Sequence, residues 1–180
     1  MKRPILQKEN PLLRKRAKNV PEAVFDTPKL REIIKDMADT LDVEEDGVAL
    51  AAPQIGILYR LFIVRLDRIL PSPKETKKIK PKILVCINPT FVKKSRKLRR
   101  ADEGCLSVRG LYGITKHHER ATLRAYDERG KVFTRGAGGL LAQIFEHETD
   151  HLNGILFIDH AEHVFEFKNE KRPYAILHES

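Results

Sequence analysis

The sequence predicts an α+β fold in which mixed β-sheets pack around a central helix carrying a His-Glu-x-x-His segment. Three observations predict it. One segment after Pro28 and one ending near Asn153 have strong helical periodicity. Between them lie several short runs with strand character. The two kinds of segment do not alternate regularly, which argues against a parallel, doubly wound design.

Taken in order, Thr27 and Pro28 have the chemistry of an N-cap and a first helical residue. Leu30, Ile33, Ile34, Met37 and Leu41 then fall on one helical face, and the acidic stretch 42–46 ends the helix. RLFIVRL (60–66) is short and continuously apolar, as a buried strand is. Residues 67–82, with three prolines and many lysines, are expected to form a surface loop. Strands are expected at about 83–87 and 91–95. RATLRAY and KVFTR flank a hairpin turn at Asp127–Gly130, with Ala121, Leu123 and Ala125 on the core face. GAGG (136–139) should lead into the second helix, which runs to Asn153 and stops at Gly154.

A chain of 180 residues can bury a core without staples, and one domain over 1–180 is expected. Hydrophobic residues make up 41% and charged residues 33%, which is ordinary for a globular protein. No apolar run approaches the roughly 20 residues of a membrane helix, so no membrane partner is expected. The basic start MKRPILQKENPLLRKR is interrupted by Glu9 and Pro11, with no signal-type apolar core after it. Of the two cysteines, Cys86 lies in the apolar run ILVCINP and reads as a small buried hydrophobe. Cys105 lies in the polar segment EGCLS. This usage points to a reducing compartment, the cytoplasm, although a mature organellar protein would read the same. The net charge of +9 is concentrated in residues 74–82 and 91–100. It suits a weak contact with a polyanion such as ribosomal RNA, or simply solvated faces. No motif for sequence-specific nucleic-acid binding accompanies it.

Chemistry concentrates in HETDH, residues 147–151. Histidines at i and i+4 stand about 6 Å apart along a helix axis and on one face, so both imidazoles can converge on one metal ion. Glu148 is then close enough to reach a metal-bound water without being a ligand. His147 and His151 continue an apolar stripe with Leu140 and Ile144, and Glu148 continues one with Leu141 and Phe145. Two histidines and a carboxylate buried without a partner would be costly, and a metal resolves that cost. A third protein ligand is required. Phe157 stands where metzincin proteases place a histidine. Cys105 and Glu170 remain as candidates, the latter implying a metallopeptidase.

Three segments resemble the motifs of peptide deformylases, in that family's order. GVALAAPQIG (47–56) is similar to its glycine- and glutamine-containing first motif, EGCLS (103–107) to the second, and FEHETDHLNG (145–154) to the third. The likeness covers about residues 4–160 and leaves 161–180 as a tail. It implies Cys105, His147 and His151 as metal ligands, with metal-bound water as nucleophile and Glu148 as general base and acid. It implies hydrogen bonds to the formyl oxygen from the Gln54 side chain and the Leu106 N–H. Gly47, Val48, Ala49, Gly104 and Ile144 would contact the substrate, an N-formylmethionyl nascent peptide, and formate would be released. The implied cofactor is one divalent ion, Fe(II) in this family, with zinc, nickel and cobalt also accommodated. Three residues depart from the family pattern: Ala49 for glycine, Arg109 for a common proline, and Glu146 for glutamine. The Ala49 methyl is expected to narrow the cleft. A non-catalytic, ribosome-associated module with a structural metal is the third reading.

Overall fold

The computed structural model describes residues 1–69 and 82–166. Among these residues two long α-helices, one short one and two antiparallel sheets make up the architecture. Helix α1 (Pro28–Asp42) starts as its sequence requires, with the Thr27 hydroxyl accepting from the Leu30 N–H at 3.3 Å and Pro28 in the first turn. Leu30, Met37 and Leu41 are fully buried against β1 (Ala49–Ala51) and β2 (Leu61–Arg65). Every residue of β2 is buried, which explains its unbroken apolar run.

The larger sheet has the order β1-β2-β3-β6-β7, with β3 at Ile83–Lys94, β6 at Arg120–Tyr126 and β7 at Val132–Gly138. The smaller has the order β4-β5-β8, with β4 at Leu98–Gly104, β5 at Leu111–His118 and β8 at His163–Glu166. All strand pairings are antiparallel among the described residues, so the expectation of mixed sheets is corrected. Helix α3 (Gly139–Asn153) packs against β1, β5, β6 and β7, with Phe145 and Leu152 fully buried. It therefore lies between the two sheets and presents side chains to both.

Several local expectations change. Leu66–Ile69 forms a short helix, α2, where loop was expected from residue 67. The remainder of that loop, 70–81, lies outside the described residues. The two strands expected at 83–87 and 91–95 are one strand, β3, with register shifts between Ile87 and Thr90 and between Phe91 and Lys93. GAGG is divided, its first three residues closing β7 and only Gly139 opening α3. Residues 163–166, expected in a tail, pair with β5. Among the described residues no helix is long and apolar enough to cross a membrane.

Candidate functional site

Helix α3 carries His147, Glu148 and His151 inward, and the chain leaving β4 brings Cys105 to them. The ligand atoms of Cys105, His147 and His151 all lie within 4.8 Å of one another, and Cys105 Sγ is 3.1 Å from His151 Nε2. The two imidazoles meet edge-on with centroids 4.9 Å apart, as i, i+4 spacing on a helix requires. Glu170, the alternative third ligand, lies outside the described residues. Both cysteines are free, and Cys86 is fully buried on β3.

Two buried atoms test whether a cation suits this pocket. Glu148 Oε2 and His151 Nδ1 have no hydrogen-bond partner among the described residues. Burial pushes the Glu148 carboxyl up to about 7 and drives His151 well below the usual histidine range, toward neutral imidazole. A thiol and two imidazoles converging in a pocket with a stranded carboxylate match a borderline divalent ion. The residues fit such an ion.

The first motif frames the other side. Arg68 of α2 donates to the carbonyls of Leu41, Glu44 and Gly47, tying the end of α1 to the start of β1. The Arg65 N–H donates to the Val48 carbonyl at 2.7 Å. Antiparallel alternation then turns the Ala49 backbone groups away from β2, toward the open edge of the sheet. Ala51 faces the same way, and its N–H is taken by Gln54 Oε1 at 2.8 Å. Gln54 Nε2 donates to Ser107 Oγ at 3.1 Å and lies 3.7 Å from Cys105 Sγ. Gln54 thus both ties down its own loop and points at the cysteine. The Leu106 N–H has no acceptor among the described residues, while the Leu106 carbonyl accepts from Gln7.

Val48, Ala49 and Ile144 share one buried cluster beside the site. The Ala49 methyl, expected to narrow a cleft, is buried in that cluster; what the residue turns to the open edge is its backbone. Gly104 leaves room for the Tyr112 ring, which a Cβ there would meet at 2.7 Å. Arg109 is exposed and donates to Glu44 at 2.9 Å, bridging the loops of the first and second motifs.

Sequence reasoning did not find the polar network behind the histidines. Glu103 Oε1 accepts from His147 Nδ1, leaving His147 Nε2 toward the pocket. Glu103 Oε2 meets Thr115 Oγ1 and, at 2.8 Å, His117 Nε2. His117 Nδ1 meets Glu146 Oε2 at 3.0 Å, and Glu146 Oε1 pairs with Lys94 at 2.9 Å. Burial alone would raise the Glu103 carboxyl and lower the His117 imidazole. Their hydrogen bonds outweigh it, holding Glu103 well below the carboxylate range and lifting His117 to about 9. The one available signal was Glu146, an acidic residue where the family pattern has glutamine.

The family model for polypeptide deformylases matches residues 2–166. A peptide deformylase of Dehalococcoides mccartyi is 40% identical over 160 residues, covering 89% of this chain and 86% of that protein. The crystal structure of a peptide deformylase from Legionella pneumophila superposes with a TM-score of 0.77 at 37% identity, covering 90% of this chain and 87% of that one. A Met-Ala-Ser-bound class I type b peptide deformylase from Acinetobacter baumannii gives 0.77 at 29% identity, covering 89% and 98% respectively.

Proposed function

As the chain belongs to the polypeptide deformylase family, we propose that it removes the N-formyl group from the N-terminal methionine of newly made proteins, releasing formate and a free amine. The single observation that carries this reading is the convergence of Cys105, His147 and His151 beside the unpartnered carboxylate of Glu148. Cys105 Sγ and one nitrogen each of His147 and His151 would hold a divalent ion, Fe(II) by family likeness, with zinc, nickel or cobalt as substitutes. Such an ion supplies Lewis acidity, which polarises an amide and makes water acidic enough to attack near neutral pH.

The chain's own groups do the rest. Glu148, on the H-E-x-x-H segment of α3, takes a proton from the attacking water and returns it to the departing amine nitrogen. Formamide and water thus become formic acid and amine, which at neutral pH stand as formate and an ammonium group with no proton left over. Gln54 Nε2 and the Leu106 N–H donate to the formyl oxygen as charge develops on it; the proximity of Gln54 to Cys105 and the free Leu106 N–H support this role. β1 and β4 are both edge strands, so an extended peptide can pair with the Ala49 backbone beside Gly47 and Val48 and near Gly104. Ile144, in the same buried cluster as Val48, would line the methionine pocket. The Met-Ala-Ser bound in the structure of the Acinetobacter relative supports binding of a short peptide of this kind.

Localisation in the cytoplasm and a weak contact with ribosomal RNA through the basic residues at the end of β3 and the start of β4 complete the proposal. Lys97 is already paired with Glu119, and Arg100 with Glu162, so the available charge supports only weak attraction. The deciding experiment is formate release from formyl-Met-Ala-Ser by nickel-loaded protein. Stoichiometric formate with no peptide-bond cleavage is expected. Cleavage within the peptide would favour a metallopeptidase, and no reaction at full metal loading would favour a structural metal module.

A further inference from the structure

We propose that His117 is a positioning residue that fixes the Glu103 carboxylate, and through it the His147 imidazole, in the orientation metal binding needs. The inference rests on the ligand set proposed above. His117 is 2% exposed and lies on β5, one strand away from the proposed ligands. Each of its ring nitrogens faces a carboxylate, Glu103 at 2.8 Å and Glu146 at 3.0 Å. An ionised carboxylate only accepts, so both nitrogens must carry protons, and the ring is an imidazolium.

The Glu103 carboxylate is consequently fastened at both oxygens. Oε2 receives the Thr115 hydroxyl and the His117 N–H, and Oε1 receives the His147 N–H. Rotating the carboxylate to release His147 would break the contacts to His117 and Thr115 together. Without that lock, His147 could turn its ring, and its remaining nitrogen would no longer be held toward Cys105 and His151.

Glu146 is the other half of this arrangement. It accepts from His117, from the His118 backbone N–H at 3.1 Å, and from Lys94. Charges then alternate along the chain of contacts: Lys94, Glu146, His117, Glu103. A buried imidazolium between two carboxylates, one of them offset by a lysine, has no uncompensated charge. A neutral glutamine at position 146 would offer one fewer counterion, so the departure at Glu146 is explained by the presence of His117.

The test uses full-length protein loaded with Co(II), whose visible spectrum reports thiolate ligation and coordination geometry, and follows loss of Co(II) to a chelator. His117→Ala and His117→Gln are expected to lose Co(II) about 10-fold faster or more, with a changed spectrum. Glu146→Gln should shift both readouts less, and circular dichroism should show the fold intact. Should His117→Ala fail to fold, His117→Gln, which keeps one donor and a similar size, reads the same quantities, with Thr115→Val as a second probe of the Glu103 lock. If the variants melt earlier yet keep the parent spectrum and release rate, His117 is only a core ion pair and the inference is overturned. If the parent protein itself lacks a thiolate–Co(II) band, the ligand set proposed above has failed, and this inference with it.

Discussion

Cys105 and His151 are 46 residues apart in the chain yet 3.1 Å apart in space. The His147/His151 pair was legible because helical spacing alone sets it, whereas Cys105 stood beside Glu170 as a candidate until likeness to a family motif favoured it. Glu103 and His117 escaped sequence reasoning because their roles depend on pairing between β4 and β5, which no local spacing records. Cys105→Ala should empty the site, and Glu148→Gln should keep metal while losing at least ~100-fold in kcat. Metal content after dialysis, measured beside formate release, checks both; a metal-loaded and active Glu148→Gln removes Glu148 from the chemistry. At Ala49 the positive φ that favours glycine is absent, since among described non-glycine residues only Asp26 and Asn88 have it. With Ala49 buried in the same cluster as Ile144, Ala49→Gly should cost about 1 kcal/mol and lower Tm by roughly 2–4 °C. Its kcat/KM should change less than a few-fold. A rise confined to peptides with bulky residues after methionine, at unchanged Tm, would restore the narrowed cleft.

Legibility of each element followed what its buried face touches. α1, β2 and the β6–β7 hairpin face apolar core, so helical periodicity, an unbroken apolar run and alternation with a turn signal revealed them in turn. β5 turns Gly113, Thr115 and His117 inward and Lys116 outward, so both of its faces read as polar. At Thr115 and His117 its inner face meets the carboxylates of Glu103 and Glu146, and alternation of hydrophobicity could not mark it. In β3 the Asn88–Pro89 pair reads as a break, because proline cannot donate to a ladder. The strand nonetheless continues through an irregularity there, with Asn88 at φ 49° and its amide holding the Val20 backbone through two hydrogen bonds. The end of α3 was legible for a backbone reason. Gly154 has φ 78°, and its N–H bonds to the His151 carbonyl. A Cβ there would also lie 2.5 Å from the Arg14 carbonyl oxygen. Gly154→Ala should therefore destabilise by more than the ~1 kcal/mol of left-handed strain alone. It should also loosen His151 three residues away. Thermal melting and Co(II) release should both worsen; a variant with the parent's Tm would mean that the N-terminal segment moves aside freely.

For the whole molecule, the buried charges make stability depend on pH from two sides. Glu103 and Glu146, which are buried, and Asp67 and Asp159, which are less so, are all held below their ordinary carboxyl values, because hydrogen bonds and nearby cations outweigh burial. Their stabilisation is present above the unfolded carboxyl range and is lost as pH falls through the folded values. His117 acts in the opposite direction. The groups facing it are Glu103 and Thr115 from the small sheet and Glu146 from α3, with Lys94 and His118 beside Glu146 and His147 beyond Glu103. They raise it from 6.5 to about 9 against the cost of burial. A raised histidine stabilises fully below its unfolded pKa, and that contribution disappears as pH climbs through the folded one. The window is therefore pH 6.5 to 9, and the shift corresponds to at most about 3 kcal/mol. Urea midpoints of metal-loaded protein should fall between pH 6.5 and 9.5 in the parent and fall much less in His117→Gln, with the m-value unchanged in both. Parallel declines in the two proteins would show that His117 does not bind its proton more tightly when folded, and that the alkaline loss arises elsewhere.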